Sequence, residues 1–240
     1  KKHFPVDVLR KAAALGMGGI YISDEYGGSA LTRLDAALIF EALSTGCPSV
    51  AAYISIHNMA TWMIDRFGND AQRAKYLPDL CSMAKLASYC LTEPAAGSDA
   101  AALRMRATKD GDHYVLNGVK QFITTGKYAD VAIVFAVTDK AAGKKGISCF
   151  LVPTATPGYI VARIEERRGF ADPHGHHQRI DVGRGDGQLI PTIRAQQQRR
   201  VAERPTQLGD LRLQCVAAGG RRFCAPQVVD QPVGPHHGAG

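Results

Sequence analysis

The apolar positions follow two successive rhythms: helical spacing up to about Cys81, then the alternating or unbroken runs of strands from Lys85 to Ile164. Pro5 to Leu15 is predicted as a helix. Proline suits a first turn, Val8, Leu9, Ala12 and Leu15 make one stripe, and Gly16, Gly18 and Gly19 end it. The stretch GGIYISDEYGGSA from Gly18 reads as extended and turn-rich. Thr32 to Ser44 forms a second helix, with a threonine cap, Asp35 three residues on, and Leu34, Leu38, Ile39, Phe40 and Leu43 expected to be largely buried. Pro48 opens a third that runs to about Phe67. It is apolar nearly all round apart from His57, Asn58, Asp65 and Arg66, the pattern of a core helix, with His57 as a packed or hydrogen-bonded core residue. Asp70 to about Cys81 is a fourth, with Gln72, Arg73 and Lys75 on its polar face.

After Met83 the pattern is that of sheet. Lys85 to Thr92, Leu103 to Thr108, His113 to Leu116, Val119 to Thr124, Val131 to Val137, Ile147 to Val152 and Tyr159 to Ile164 read as short strands. Asp110-Gly111 and Asn117-Gly118 are expected as tight turns between them. Strands that follow one another with no helix between them predict an antiparallel β-barrel or sandwich rather than a doubly wound sheet. The expected class is α+β: an all-helical part over residues 1–84, then a β domain over 85–169.

Composition alters this picture beyond residue 170. All 11 lysines and 15 of the 16 Phe and Tyr residues precede Ala171, whereas the 70 residues from there on hold nine arginines, nine glutamines, ten glycines and six prolines. Residues 170–240 are therefore left unassigned. Two readings stay open: a basic flexible extension, or a slip of the reading frame near Gly169 to Gln178. The net charge of +7 is spread along the chain without a nucleic-acid-binding signature, so no nucleic-acid partner is expected. No run approaches the roughly eighteen apolar residues of a membrane span, so no membrane association is expected, and the N-terminal KKHFPVDVLRK carries no export signal. The six cysteines are scattered, which predicts reduced thiols in a cytoplasmic or matrix-type compartment. The pairs His176-His177 and His236-His237 lack the spaced cysteines or carboxylates of a metal site.

Three motifs are candidates for chemistry. GMGGI at Gly16 to Ile20 is glycine-rich but follows a helix, so it is not a phosphate loop. YCLTEPAAGSD at Tyr89 to Asp99 and KQFITTG at Lys120 to Gly126 are different in kind. With the run FEALSTGCPSVAAYISIHNMATWMIDRFG from Phe40, they resemble, in order and spacing, the acyl-CoA dehydrogenase family and its branched-chain members in particular. The resemblance covers residues 4 to about 169. It implies an N-terminal helical domain, a middle β domain and a C-terminal helical bundle, the last not recognisable here, with the chain beginning partway into the first.

The same resemblance implies an FAD site. Tyr89, Leu91 and Thr92 would line the flavin ring, and Phe122, Ile123 and Thr124 would pack on it. Gly97 and Ser98 would approach the cofactor, with Ser98 also meeting the CoA moiety. A strand end presents amides to a planar ligand, and small residues in a turn permit close backbone approach. Glu93 is assigned a structural role. The implied reaction is α,β-dehydrogenation of an acyl-CoA thioester, with electrons passed to an electron-transfer flavoprotein; family members form homotetramers, an assembly not expected of this chain without the bundle. The glutamate base belongs to the C-terminal bundle, and no residue here is assigned to it. Glu203, the only glutamate beyond residue 170, lies in the arginine-rich RRVAERPTQ.

Overall fold

The computed structural model describes residues 4–111, 113–166, 176–182, 213–218 and 221–226. Contacts divide the chain into two units, Lys1–Gln198 and Arg199–Gly240.

In the first unit the helices are α1 (Val6–Ala13), α2 (Arg33–Gly46), α3 (Pro48–Phe67) and α4 (Asp70–Cys81). Helix α2 starts at a capping box: Thr32 accepts from Asp35 N–H, and the Asp35 carboxylate accepts from Thr32 N–H. Asn69 and Gln72 form the same reciprocal pair at α4. Helix α3 is the core helix expected. Ile54, Ala60 and Ile64 are fully buried on it, and each of the two isoleucines contributes about 1.5–3 kcal/mol through lost contact with water. Helix α2 departs from expectation. Ala36 is buried and Ile39, Phe40 and Leu43 pack against the core, but Leu34 is 69% exposed and Leu38 57%. Helical periodicity finds an apolar stripe without saying how much of it a neighbour covers.

The turn-rich segment between α1 and α2 holds two short 3₁₀ turns, Met17–Gly19 and Asp24–Tyr26. Gly18 is indispensable there, because a Cβ would stand 2.0 Å from the Cys81 carbonyl oxygen at the end of α4.

The strands are β1 (Ala87–Cys90), β2 (Arg106–Asp110), β3 (His113–Thr124), β4 (Val131–Val137), β5 (Ile147–Pro153), β6 (Tyr159–Glu166) and β7 (His176–Val182). They form one seven-stranded sheet in the order β1-β4-β2-β3-β7-β6, with β5 also paired to β4. The predicted antiparallel barrel or sandwich is not what forms. Strand β1 runs parallel to β4, from Ala87 opposite Val131 to Cys90 opposite Val134, and β2 meets β4 in parallel at Arg106 and Val137. The sheet is mixed and open among the described residues. The reason lies in the connection: between β1 and β4 the chain makes the β2–β3 hairpin, so β4 returns in the direction of β1, a crossover made without a helix.

The tight turn expected at Asn117-Gly118 is also absent. β3 runs through it, with Asn117 opposite Arg106 and Gly118 opposite Val182. Gly118 has φ 155°, and a Cβ there would lie 2.9 Å from the Met105 Cα, so the glycine serves close strand approach rather than reversal. β7 lies in the stretch that composition leaves unassigned; the rest of the postulated slip, Gly169 to Gly175, lies outside the described residues. The second unit contains β8 (Leu213–Ala218) paired antiparallel with β9 (Arg221–Pro226). Glu203 and His236-His237 are likewise outside the described residues.

Between helices and sheet lies one cluster, in which Ala60, Ile64, Leu77 and Leu80 meet Ala87, Val131, Ile133 and Leu151. His57 is 2% exposed and joins the two parts directly. Ala87 N–H donates to its Nδ1 at 3.1 Å, which makes Nδ1 the acceptor and leaves Nε2–H to donate to the Leu80 carbonyl at 2.8 Å. Burial pushes its pKa down to about 4. No helix among the described residues is long and apolar enough to cross a membrane.

Candidate functional site

The two sequence motifs meet at the end of β1. Strand β1 stops at Cys90; Leu91 and Thr92 beyond it are both half-buried, and the Thr92 carbonyl accepts from Gln121 N–H of β3 at 2.8 Å. The polar turn follows at once. Glu93 and Ala96 exchange both backbone hydrogen bonds, at 2.9 and 3.1 Å, and swing Gly97 and Ser98 out to solvent. A Cβ on Gly97 would meet nothing within 4 Å, so space stands open over this turn.

On the facing strand the register shifts between Lys120 and Ile123, a β-bulge against β7. Inside the bulge Phe122 takes φ 58° and its side chain is 49% exposed. Left-handed backbone at a large aromatic residue is costly, about 1–2 kcal/mol. Thr125, β-branched and buried, is also left-handed at φ 64°. Such bulges re-aim side chains, here turning an aromatic ring away from the core and toward solvent beside the Leu91–Thr92 edge.

Beneath the turn lies a buried ion pair. Lys120 is fully buried, Glu93 is 6% exposed, and Nζ stands 2.8 Å from Oε1. Lys120 Nζ also donates to the Leu91 carbonyl at 3.0 Å, while the Glu93 carboxylate accepts the backbone N–H groups of Arg104 at 2.6 Å and Met105 at 3.0 Å. Burial pulls the Lys120 ammonium below its ordinary range against the pull of Glu93. Burial also works to raise the Glu93 carboxyl, but Lys120 and the two amides prevail and hold it below the usual range. Glu93 is thus fully engaged in holding structure, the role expected of it.

The structure therefore brings Leu91 and Thr92 beside the Gln121–Phe122 bulge, with Gly97 and Ser98 on the adjoining turn, while Thr124 pairs with His177 of β7 further along β3. It does not gather Tyr89 and Ile123 with them. The Tyr89 ring packs on the helix-facing side against Phe135, centroids 5.1 Å apart, where burial raises its hydroxyl to about 12. Ile123 is 1% exposed in the opposite cluster with Met105, Leu116 and Phe150. Sequence reasoning missed Lys120. The signal was present: with the alternation of β3 it shares a face with the buried Leu116, and a lysine in an inward phase requires a buried partner.

An open polar turn, a strand end and an outward aromatic ring thus adjoin one another, and the two charges buried beneath them, Lys120 and Glu93, pair with each other. Comparison with known proteins gives this arrangement a family. The acyl-CoA dehydrogenase N-terminal domain matches residues 1–84, and the acyl-CoA dehydrogenase middle domain matches residues 88–181. The chain belongs to the acyl-CoA dehydrogenase family. The mitochondrial isobutyryl-CoA dehydrogenase of Bos taurus is 52% identical over 170 residues, 71% of this chain and 41% of that protein. Its counterpart in Dictyostelium discoideum is 53% identical over the same shares. Among solved structures, a glutaryl-CoA dehydrogenase from Mycobacterium smegmatis in complex with FADH2 superimposes with a TM-score of 0.70 at 29% identity, over 79% of this chain and 47% of that one. The chain thus spans less than half the length of these relatives.

Proposed function

We propose that this acyl-CoA dehydrogenase chain provides the FAD-binding part of an enzyme that removes the α and β hydrogens of a short or branched-chain acyl-CoA thioester, with isobutyryl-CoA as the first substrate to try. The observation that carries the reading is the juxtaposition of the Leu91–Thr92 edge with the outward, strained Phe122 through the Thr92–Gln121 hydrogen bond. The relative solved with FADH2 supports it.

FAD, when bound, supplies the hydride acceptor. In this reading the chain's own residues bind and orient. The Thr92 hydroxyl and the backbone beyond Cys90 offer hydrogen bonds to the ring's polar edge. Phe122 and Thr124 pack on the ring, and Tyr89 and Ile123 support those segments from the core. Gly97 and Ser98 let the chain approach cofactor and CoA closely, with Ser98 the residue assigned to substrate. The step that needs a carboxylate base at the α carbon is assigned to no residue of this chain. An electron-transfer flavoprotein is the proposed acceptor, and a homotetramer the proposed assembly of the complete enzyme.

A second reading rests on the change of composition beyond residue 170: a non-catalytic fragment or frame-shifted product that retains at most flavin binding. One preparation tests both. The purified chain, incubated with FAD and desalted, is expected to keep a flavin absorption band, and to show no dye reduction with isobutyryl-CoA. Absence of retained flavin would sink the site; dye reduction at the rate of a complete relative would sink the fragment reading.

A further inference from the structure

The Lys120–Glu93 ion pair has no part in the chemistry proposed above, yet it links every segment that chemistry uses. From one fully buried ammonium, a hydrogen bond runs to the Leu91 carbonyl and an ion pair to Glu93 at the head of the turn that carries Gly97 and Ser98. Glu93 in turn holds the start of the path to β2 through Arg104 and Met105. Two residues beyond Lys120, β3 bulges and Phe122 turns outward. An interior ion pair is a poor means to stability alone, because apolar side chains of similar volume do as well or better. What it supplies is direction: an apolar side chain could fill the space but could not hold the Leu91 carbonyl at 3.0 Å.

We propose that Lys120, fixed by Glu93, is a positioning residue for the flavin, setting the distance between the Leu91–Thr92 edge and the Phe122 bulge so that both meet one ring. It touches no ligand itself. The inference rests on the flavin reading above, and its test separates the two.

The full chain and its Lys120→Met, Glu93→Gln/Lys120→Met, Lys120→Arg and Ile64→Val variants are compared by thermal melting without flavin, by FAD titration through flavin fluorescence quenching, and by the fine structure of the bound flavin band. Ile64→Val is the control, a core truncation on α3 outside the Tyr89–Asp99 and Lys120–Gly126 stretches. Lys120→Met is expected to weaken FAD binding about tenfold or more and to blur the band, whereas Ile64→Val lowers the melting point with affinity unchanged. The double variant, in which no charge is left buried, is expected to recover melting but not affinity, and it carries the test where Lys120→Met fails to fold. Lys120→Arg keeps the charge and is expected to recover part of the affinity. Lys120→Met with wild-type affinity and spectrum, or a double variant that regains melting and affinity together, overturns the positioning role alone. A wild-type chain that binds no FAD overturns the flavin reading and this inference with it.

Discussion

Acidification is expected to loosen the joint between helices and sheet through a single side chain, His57. Its folded pKa is pushed down to about 4 by burial, from an ordinary 6.5. The geometry agrees: Nδ1 already accepts the Ala87 N–H, so a second proton would set two donors face to face. As pH falls through 6.5 the unfolded chain takes up the proton first, while the folded chain takes it only near 4. Stability contributed by neutral His57 is therefore fully present above 6.5, erodes below it, and is gone below about 4. Across the whole window the loss is about 3 kcal/mol, and between pH 7 and pH 5 about 2 kcal/mol. The narrower interval is the useful one, because the Glu93 carboxyl, held below its ordinary range, gives up its contribution only at lower pH. For a unit of this size that loss lowers the melting midpoint by about 4–8 °C. Melting curves at half-unit steps, for the chain and for His57→Gln, provide the measurement. His57→Gln keeps a donor toward the Leu80 carbonyl, melts lower at pH 7 and loses the slope between pH 7 and 5. Equal slopes in the two proteins, or a His57 imidazole that titrates near 6.5 by NMR in the folded state, would refute the reasoning.

Two substitutions probe the backbone of β3. Gly118→Ala places a methyl group against Met105 at a φ that side chains rarely adopt, so a loss of about 1–3 kcal/mol by urea denaturation is expected; unchanged stability would mean that the strand is free to shift. Phe122→Gly relieves left-handed strain but frees the unfolded chain, so apo stability should stay within about 1 kcal/mol while FAD affinity falls. A large loss of stability without flavin would show that the ring is held as part of the core.

The helices were legible because their signals are local. Thr32 with Asp35, and Pro48, each act within one turn, and the observed ends fall within a residue or two of those expected. What was not legible depends on partners distant in sequence. The exposure of Leu34 and Leu38 depends on which neighbours pack against α2 and how far they reach. Asn117-Gly118 carries a turn's composition, and only the presence of Met105 across the sheet reveals that the glycine serves contact. Strand direction was lost for the same reason, since β1 and β4 are each apolar runs and nothing in such a run states its polarity. At the site, Leu91, Thr92 and Phe122 came from motif resemblance, while Lys120 lay in view at an inward position without its partner being recognised.

The parallel register of β1 and β4 also dictates an order of assembly. The Leu86 amide and Asp130 carboxylate that open the pairing are separated by 44 residues, whereas β2 and β3 turn back on each other at Asp110 and His113. Closing a long loop costs chain entropy before any contact repays it. The hairpin is thus expected to form early on the folding path and β1 to be captured late, carrying Leu91 and Thr92 to a β3 that is already in place. A nascent chain that has not yet released β4 is then expected to lack the ordered Leu91–Thr92 edge beside Phe122.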